Sequence, residues 1–582
     1  MNRVISAISK SSNPLRSIGV VISNSDGNSP QILHYSFILT QDGLQKKNFV
    51  LHGQYCIVDS LEGFVLGVIE QIRVDNQYFT NHQTVKSFDI AQVDLQAFFP
   101  SDQWECHIAE VKVLGVIKSD VIFSEDILPD SFERIDKVGF PVKPGNRVYL
   151  MHESYLQHFL GVNETGLNIG HLKNYQMDVH LDVNRLFNKH LAILAQSGAG
   201  KSYLLSVLVE ELLLRSNEQG TPALVLIDVH GEYRFLKAKL ADDLKESPSL
   251  NESIRSIQNK IQLFNASFLQ IGVPDLNAYD FQRYQPGISV PQLRELRKAI
   301  TFCKKKYIYR RESTTDTLSD DMPKGYDISD IIEVLVGDVD INSKTRDTLI
   351  GWLEDLNHLG IFAKYKSPGL DELVRVGELS IIDLSSMISM RKKQILVHYF
   401  SSTLFQARRN NFISPFILFL EEAHNFLPET GSKFAVAKSI LETIAREGRK
   451  FYAQLVLVSQ RPVHLSTTAL SQCNTQIIMR VTNPYDLNHI KSTSEAITKE
   501  ALGMISTLPT GNALVMGAAL NFPIFLAVRK RLLPNRQNEE CLSSVSKRFI
   551  KKDLQHALED LKSTRITDHF IAEKLVKSST NE

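Results

Sequence analysis

Two patterns of apolar positions divide the chain. Up to about residue 155 they come in short Val- and Ile-rich runs, "SIGVVIS", "YCIVDS", "FVLGVIEQIRV" and "EVKVLGVIKS", punctuated by Gly, Asn and Asp. Runs of that length between turn residues predict strands, and a succession of them predicts a small β-barrel or sandwich over 1–155. From about Asp178 the texture changes. "HLAILAQ" predicts a strand, "SYLLSVLVEELLLRS" a buried helix, and "ALVLIDVHGEY" a second strand with an acidic tip. A long stretch, 236–375, then reads as a helical insertion around a solvated loop, "KKKYIYRRESTTDTLSDDMPKG". Beyond it "LSIIDLSS", "PFILFLEEAHNF", "QLVLVSQRP" and "TQIIMRVTNP" restore the alternation of apolar strand and helix. Strands apolar on both faces predict a mostly parallel sheet covered by helices. The expected α/β domain is therefore one sheet in two sequence pieces, 165–235 and 376–530. An amphipathic tail, 531–582, follows.

Composition narrows the class. The 582 residues, 43% hydrophobic and 22% charged, describe a globular chain of roughly two to four domains. Lys+Arg and Asp+Glu balance at 65 each, which argues against a simple basic DNA-coating protein and leaves room for a locally basic channel. Cys56, Cys106, Cys303, Cys473 and Cys541 are scattered without CxxC spacing, so neither a zinc site nor a disulfide framework is indicated. No apolar run approaches the ~18 residues of a membrane span, and "MNRVISAISKSSNP" lacks a signal-peptide core. A cytoplasmic protein with no membrane contact is expected.

The chemistry is concentrated in a few strings. "AQSGAGKS", Ala195–Ser202, fits the P-loop pattern with alanine in the first glycine's place, between an apolar strand and a helix. Gly198 and Gly200 let backbone N–H groups turn toward phosphate oxygens at a helix N-terminus. Gln196, Ser197, Gly198, Ala199, Gly200, Lys201, Ser202 and Tyr203 are the candidate ATP-binding residues. Lys201 would contact the β- and γ-phosphates, and Ser202 would ligate Mg²⁺.

An apolar strand that stops on two carboxylates, "FILFLEEAHNF", supplies the complement, because buried carboxylates need a charge to face. Glu421 is the candidate metal ligand beside Ser202, and Glu422 the candidate base that orients and deprotonates the attacking water. Asp228 ends "VLIDVHGEY" at the same expected rim. It either supports the metal or the lytic water, or fixes its own loop as an Asx turn. His230 and His424 read as hydrogen-bonding partners of their neighbouring carboxylates rather than as metal ligands. Gln460, ending "QLVLVSQ", suits a neutral γ-phosphate sensor. Arg446, Arg449 and Lys450 lie on the helix leading into that strand; a surface role competes with action on a neighbouring subunit's phosphate.

Together "LNIGHL", "HLAILAQSGAGKS", "LIDVHGEY", "LEEAHNF", "AREGRK", "SQRP" and "LPTGNALVMG" resemble the HerA branch of the HerA–FtsK ATPases, in that family's order, over about 1–155 and 165–530. The resemblance implies a RecA-like P-loop motor behind an N-terminal HAS-barrel. It also implies a homohexameric ring that passes double-stranded DNA through a central channel and translocates on it with ATP. By position, Lys201 and Ser202 are similar to the Walker A pair, Glu421 and Glu422 to the Walker B pair, and Gln460 to the sensor. Arg446 or Arg449, with Arg446 narrowly preferred, would be the arginine acting in trans. The implied partner is a nuclease in DNA end processing or an effector in anti-phage defence, docked on the barrel. The alternative is an ATP-gated hexameric scaffold that assembles and regulates a sirtuin-type or nuclease effector with little translocation. Candidate DNA contacts are Lys433, Lys438, Arg461 and His464, and the tail, basic at its start (Arg529, Lys530 and Arg531), reads as solvated surface or as a clasp over the neighbouring subunit's nucleotide site.

Overall fold

The computed structural model describes residues 17–533 and 543, apart from 24–28, 45–49, 77–78, 80–81, 93–104, 118–134, 152, 238–247, 308–324, 431–434, 495–496 and 498. Lys433, Cys541, most of the loop 304–325 and most of the tail lie outside the described residues.

The Val- and Ile-rich runs form a closed barrel of β1 (Ser17–Ile22), β2 (His34–Leu39), β3 (Tyr55–Ser60), β4 (Gly63–Asn76), β5 (Glu105–Ile117) and β6 (Arg147–Leu150), in the order β1-β2-β5-β4-β3-β6. Alternate residues point inward, so Val21, Phe37, Val58, Val65, Ile69, Val111 and Val148 fill the lumen. Register shifts at Leu66/Gly67 and Ile69/Gln71 bend β4 against β5, as closure of a small barrel requires.

Thirteen further strands follow among the described residues: β7 (Leu167–Leu172), β8 (Asp178–Leu181), β9 (Leu191–Leu194), β10 (Ala223–Asp228), β11 (Ile261–Asn265), β12 (Ile271–Gly272), β13 (Phe362–Ala363), β14 (Leu379–Asp383), β15 (Phe416–Leu420), β16 (Ala453–Ser459), β17 (Thr475–Ile478), β18 (Asn512–Gly517) and β19 (Ile524–Val528). All but β12 and β13 join one eleven-stranded sheet, ordered β11-β14-β10-β15-β16-β9-β17-β18-β19-β7-β8. The first seven are parallel and the last four run antiparallel to their neighbours. Every residue of β9, β10, β14, β15, β16 and β17 is buried, which is why these strands read as continuous apolar runs rather than alternating ones.

The stretch expected as a helical insertion holds the helices Val290–Tyr307, Ile328–Gly337 and Ser343–Asn357, but also β11, the edge strand of the main sheet. Only Ile261 of β11 is buried, and its half-exposed alternation carries too weak a signal beside the flanking helices. Barrel and sheet belong to one compact unit. They are joined by the Tyr55 N–H donating to Tyr175 Oη (2.8 Å) and Asn174 Nδ2 donating to the His52 carbonyl (2.8 Å).

Candidate nucleotide site

Register brings the chemistry to one rim. Ile227 pairs with Leu420, Leu420 with Leu457, and Ser459 with Leu194. Asp228 and Glu421 therefore leave their strands at one level, and Ala195 and Gln460 two residues further along, all beyond the carboxyl ends where ligands of α/β sheets sit. β16 stands between β9 and β15, so the acidic strand faces the phosphate loop across one strand's width.

The loop Ala195–Ser202 turns sharply into the helix Lys201–Leu214. Gly198 (φ 75°) and Gly200 (φ 107°) hold left-handed backbone that a side chain would strain. The "TGN" turn braces it from outside: the Gly511 N–H donates to the Ala199 carbonyl at 3.1 Å. Gln196 is turned away from the cradle, accepting from Thr482 N (3.0 Å) and Oγ1 (2.8 Å), so its side chain anchors the loop to the segment after β17. Lys201 is buried, and its ammonium donates to Glu422 Oε1 at 2.5 Å and lies 3.8 Å from Glu421 Oε1.

Glu422 adopts left-handed backbone (φ 47°, ψ 47°), which costs a non-glycine residue about 1–3 kcal/mol and is retained where surrounding contacts over-determine it. Gln460 Nε2 also donates to Glu422 Oε1 (2.7 Å), and His424 Nδ1 lies 3.3 Å from Oε2. Burial pushes the Glu422 carboxyl up, but the Lys201 ammonium, His424 and the Gln460 amide outweigh it and hold it below the usual carboxylate range. Glu422 is thus ionised and aimed at the phosphate lysine.

Glu421 differs. Burial, then the charge of Asp228, push its carboxyl up against the opposing pull of Lys201. Its Oε2 accepts from Val229 N (2.8 Å) and His230 N (3.3 Å), while Oε1 is buried with no hydrogen-bond partner among the described residues. Asp228 lies beside Glu421, whose carboxyl it pushes up, and is turned onto its own loop. Its two oxygens accept from the N–H groups of His230, Gly231, Glu232 and Tyr233 at 2.7–3.3 Å, which shapes the loop "HGEY". The His230 side chain points to solvent.

Three residues here escape sequence reasoning. Glu232, carried by the Asp228-shaped loop, accepts a hydrogen bond from the Ser202 hydroxyl, a contact 30 residues apart. Lys393, in a "RKK" run that reads as a solvated helix start, is buried and donates to the Val229 carbonyl at 3.0 Å; burial lowers its pKa. His190 is buried before β9. The Leu455 N–H donates to its Nδ1 (2.9 Å), so Nε2 carries the proton given to the Ala445 carbonyl (2.9 Å), and burial pushes its pKa down to about 4. It ties the P-loop strand to the helix that bears Arg446.

Ser202 and Glu232, bonded to each other, and the Glu421 carboxyl, which feels the charge of Glu232, supply oxygen donors of the kind a hard divalent cation takes. The residues fit Mg²⁺.

Arg446, Arg449 and Lys450 are exposed at the opposite edge of the sheet, before β16 begins. The seven residues of β16 separate them from Gln460 by about 20 Å, so they do not reach this site. Lys438 is turned inward, its ammonium donating to the Pro428 carbonyl at 2.6 Å, whereas Arg461 and His464 are exposed at the rim.

A strand–loop–helix phosphate cradle facing a paired-glutamate strand across one intervening strand defines a P-loop ATPase. Residues 167–404 match the central domain of the HerA helicases. The chain is 30% identical over 443 residues to a probable helicase of Methanocaldococcus jannaschii, covering 73% of this chain and 76% of that one. It is 28% identical over 537 residues to the probable DNA double-strand break repair helicase HerA of the same organism, covering 85% and 93%. Among solved structures, VirB4 of Thermoanaerobacter pseudethanolicus is similar at 15% identity with a TM-score of 0.46, covering 63% of this chain and 98% of that one. The chain belongs to the HerA family and is an ATPase of the helicase type.

Proposed function

We propose that this protein is a duplex-DNA translocase that works as a homohexameric ring, with its motor in two sequence pieces (165–235 and 376–530) around the insertion 236–375. The observation that carries the reading is the convergence of Lys201, Glu422 and Gln460 on one point of the rim, on the fold of a helicase family.

ATP would lie with its β- and γ-phosphates over Gly198–Ser202. Lys201 exchanges Glu422 for phosphate, which frees the glutamate to take a proton from water. Gln460, bonded to the same oxygen, moves with it and reports the γ-phosphate. Ser202, Glu421 and Glu232 would hold Mg²⁺, which neutralises developing phosphate charge when bound. Asp228 positions that set by shaping the Glu232 loop rather than by touching substrate. Because Arg446 and Arg449 lie about 20 Å from their own site, a phosphate contact from either requires a second subunit. The ring would carry a nuclease or defence effector on its barrel, in the cytoplasm. Among the described residues no helix is long and apolar enough to cross a membrane.

ATP hydrolysis by the purified protein, with Lys201→Ala as the blank, tests this reading. Blunt duplex should stimulate turnover several-fold, and doping with Arg446→Ala subunits should depress it more steeply than their fraction. A rate indifferent to duplex at every length and salt would replace the motor with an ATP-gated scaffold. A linear response to doping would remove Arg446 from the neighbouring site.

A further inference from the structure

The segment after β19, Arg529–Leu532, crosses the P-loop helix, and its fixation is unusually complete. Arg529 donates to Glu210 Oε2 (3.2 Å), Glu211 Oε1 (2.6 Å) and the Asn168 carbonyl (2.9 Å), and the Leu532 N–H donates to Glu210 Oε2 (3.0 Å). Glu210 is buried, so this ion pair stands in a dry setting where its geometry is well determined. What it fixes is Arg531. The Arg531 N–H donates to Tyr203 Oη at 2.8 Å, and the guanidinium lies between two rings, 5.0 Å from the centroid of Tyr203 and 4.5 Å from that of Phe235.

The position of this stack gives it meaning. Tyr203 directly follows Ser202, the last residue of the phosphate cradle, and Phe235 lies three residues after Glu232, which bonds the Ser202 hydroxyl. All three members are half-buried, each keeping some surface open to solvent. A planar, weakly hydrated cation between the two rings ties them together without a desolvated point charge, and the outward faces of such a stack are the kind of π surface on which nucleobases stack.

We infer that Tyr203, Arg531 and Phe235 form the nucleobase subsite, on which the purine ring of the bound nucleoside triphosphate stacks, one ribose away from the phosphates over Gly198–Ser202. The inference rests on the reading of that loop as the phosphate cradle. The strap Arg529–Leu532 is then part of the nucleotide site of its own subunit, held there by Glu210 and Glu211 on the P-loop helix. Stacking tolerates any purine, so discrimination between adenine and guanine at this surface is small.

The experiment compares ATP with inorganic tripolyphosphate, which shares the phosphates and lacks the base. Both are titrated against the full-length protein and its variants by calorimetry. Arg531→Ala and Phe235→Leu should each weaken ATP by about tenfold while leaving tripolyphosphate unchanged. Arg531→Lys should not restore ATP affinity, because an ammonium keeps the charge and loses the plane. Phe235→Leu preserves apolar volume and guards against loss of fold. Equal weakening of both ligands, or of neither, overturns the subsite. Failure of the wild-type protein to bind tripolyphosphate overturns the phosphate cradle itself.

Discussion

Replacing Glu422 by Gln is expected to cut ATP turnover by between about 10² and 10⁴-fold, the usual loss when a general base is removed. ATP affinity should stay equal or rise. The second half is the distinctive part. In the structure the carboxylate is the partner of Lys201 at 2.5 Å, so it competes with the phosphates for the ammonium. An amide cannot compete as strongly, and Lys201 is released toward the nucleotide. Titration with a fluorescent ATP analogue, beside steady-state hydrolysis, checks both halves. A variant that loses affinity in step with turnover would mean that Glu422 builds the pocket rather than acts in it.

Lys201→Ala carries the second large effect, and it falls on stability as well as activity. Turnover should drop on the order of 10³-fold, because a preorganised charge facing the transferred phosphate is lost. The same change leaves Glu422 ionised and buried without its counter-charge. Removing one partner of a buried pair costs several kcal/mol; about 3 kcal/mol is expected here, since burial already drives the neighbouring Glu421 toward neutrality. The melting temperature should therefore fall. The double variant Lys201→Ala, Glu422→Gln should recover most of that fall and none of the turnover. A single variant with an unchanged melting temperature would show that the ion pair is absent in solution.

The distribution of legible and illegible features follows from the range of the contacts involved. "AQSGAGKS" and "LEEAHNF" are readable because a phosphate cradle and an acidic strand end are each built from consecutive residues, so spacing alone displays them. The fully buried strands were equally plain. The sequence around Asp228 suits a catalytic and a loop-fixing role alike, and its four backbone partners favour the loop. Gln196 reads from its motif as a nucleotide contact, yet its amide oxygen accepts from Thr482, 286 residues away. Lys393, Glu232 and His190 are illegible for the same reason: each is defined by a partner in another segment, while its own neighbours suggest an ordinary surface or core residue. β11 was hidden because an edge strand buries one residue in five and sits among helices. Of the basic run after β19, Arg529 is turned inward onto two glutamates, a pairing that balanced composition could not show.

The central claim is that ATP turnover at Lys201 and Glu422 drives movement along duplex DNA. The most direct test is displacement of a third strand from a triplex placed at the far end of a blunt duplex, followed in time as the duplex is lengthened. The account predicts displacement that needs ATP, shows a lag that grows with duplex length, and vanishes in Glu422→Gln. Displacement without a length-dependent lag, or none while ATP is being hydrolysed, would contradict it.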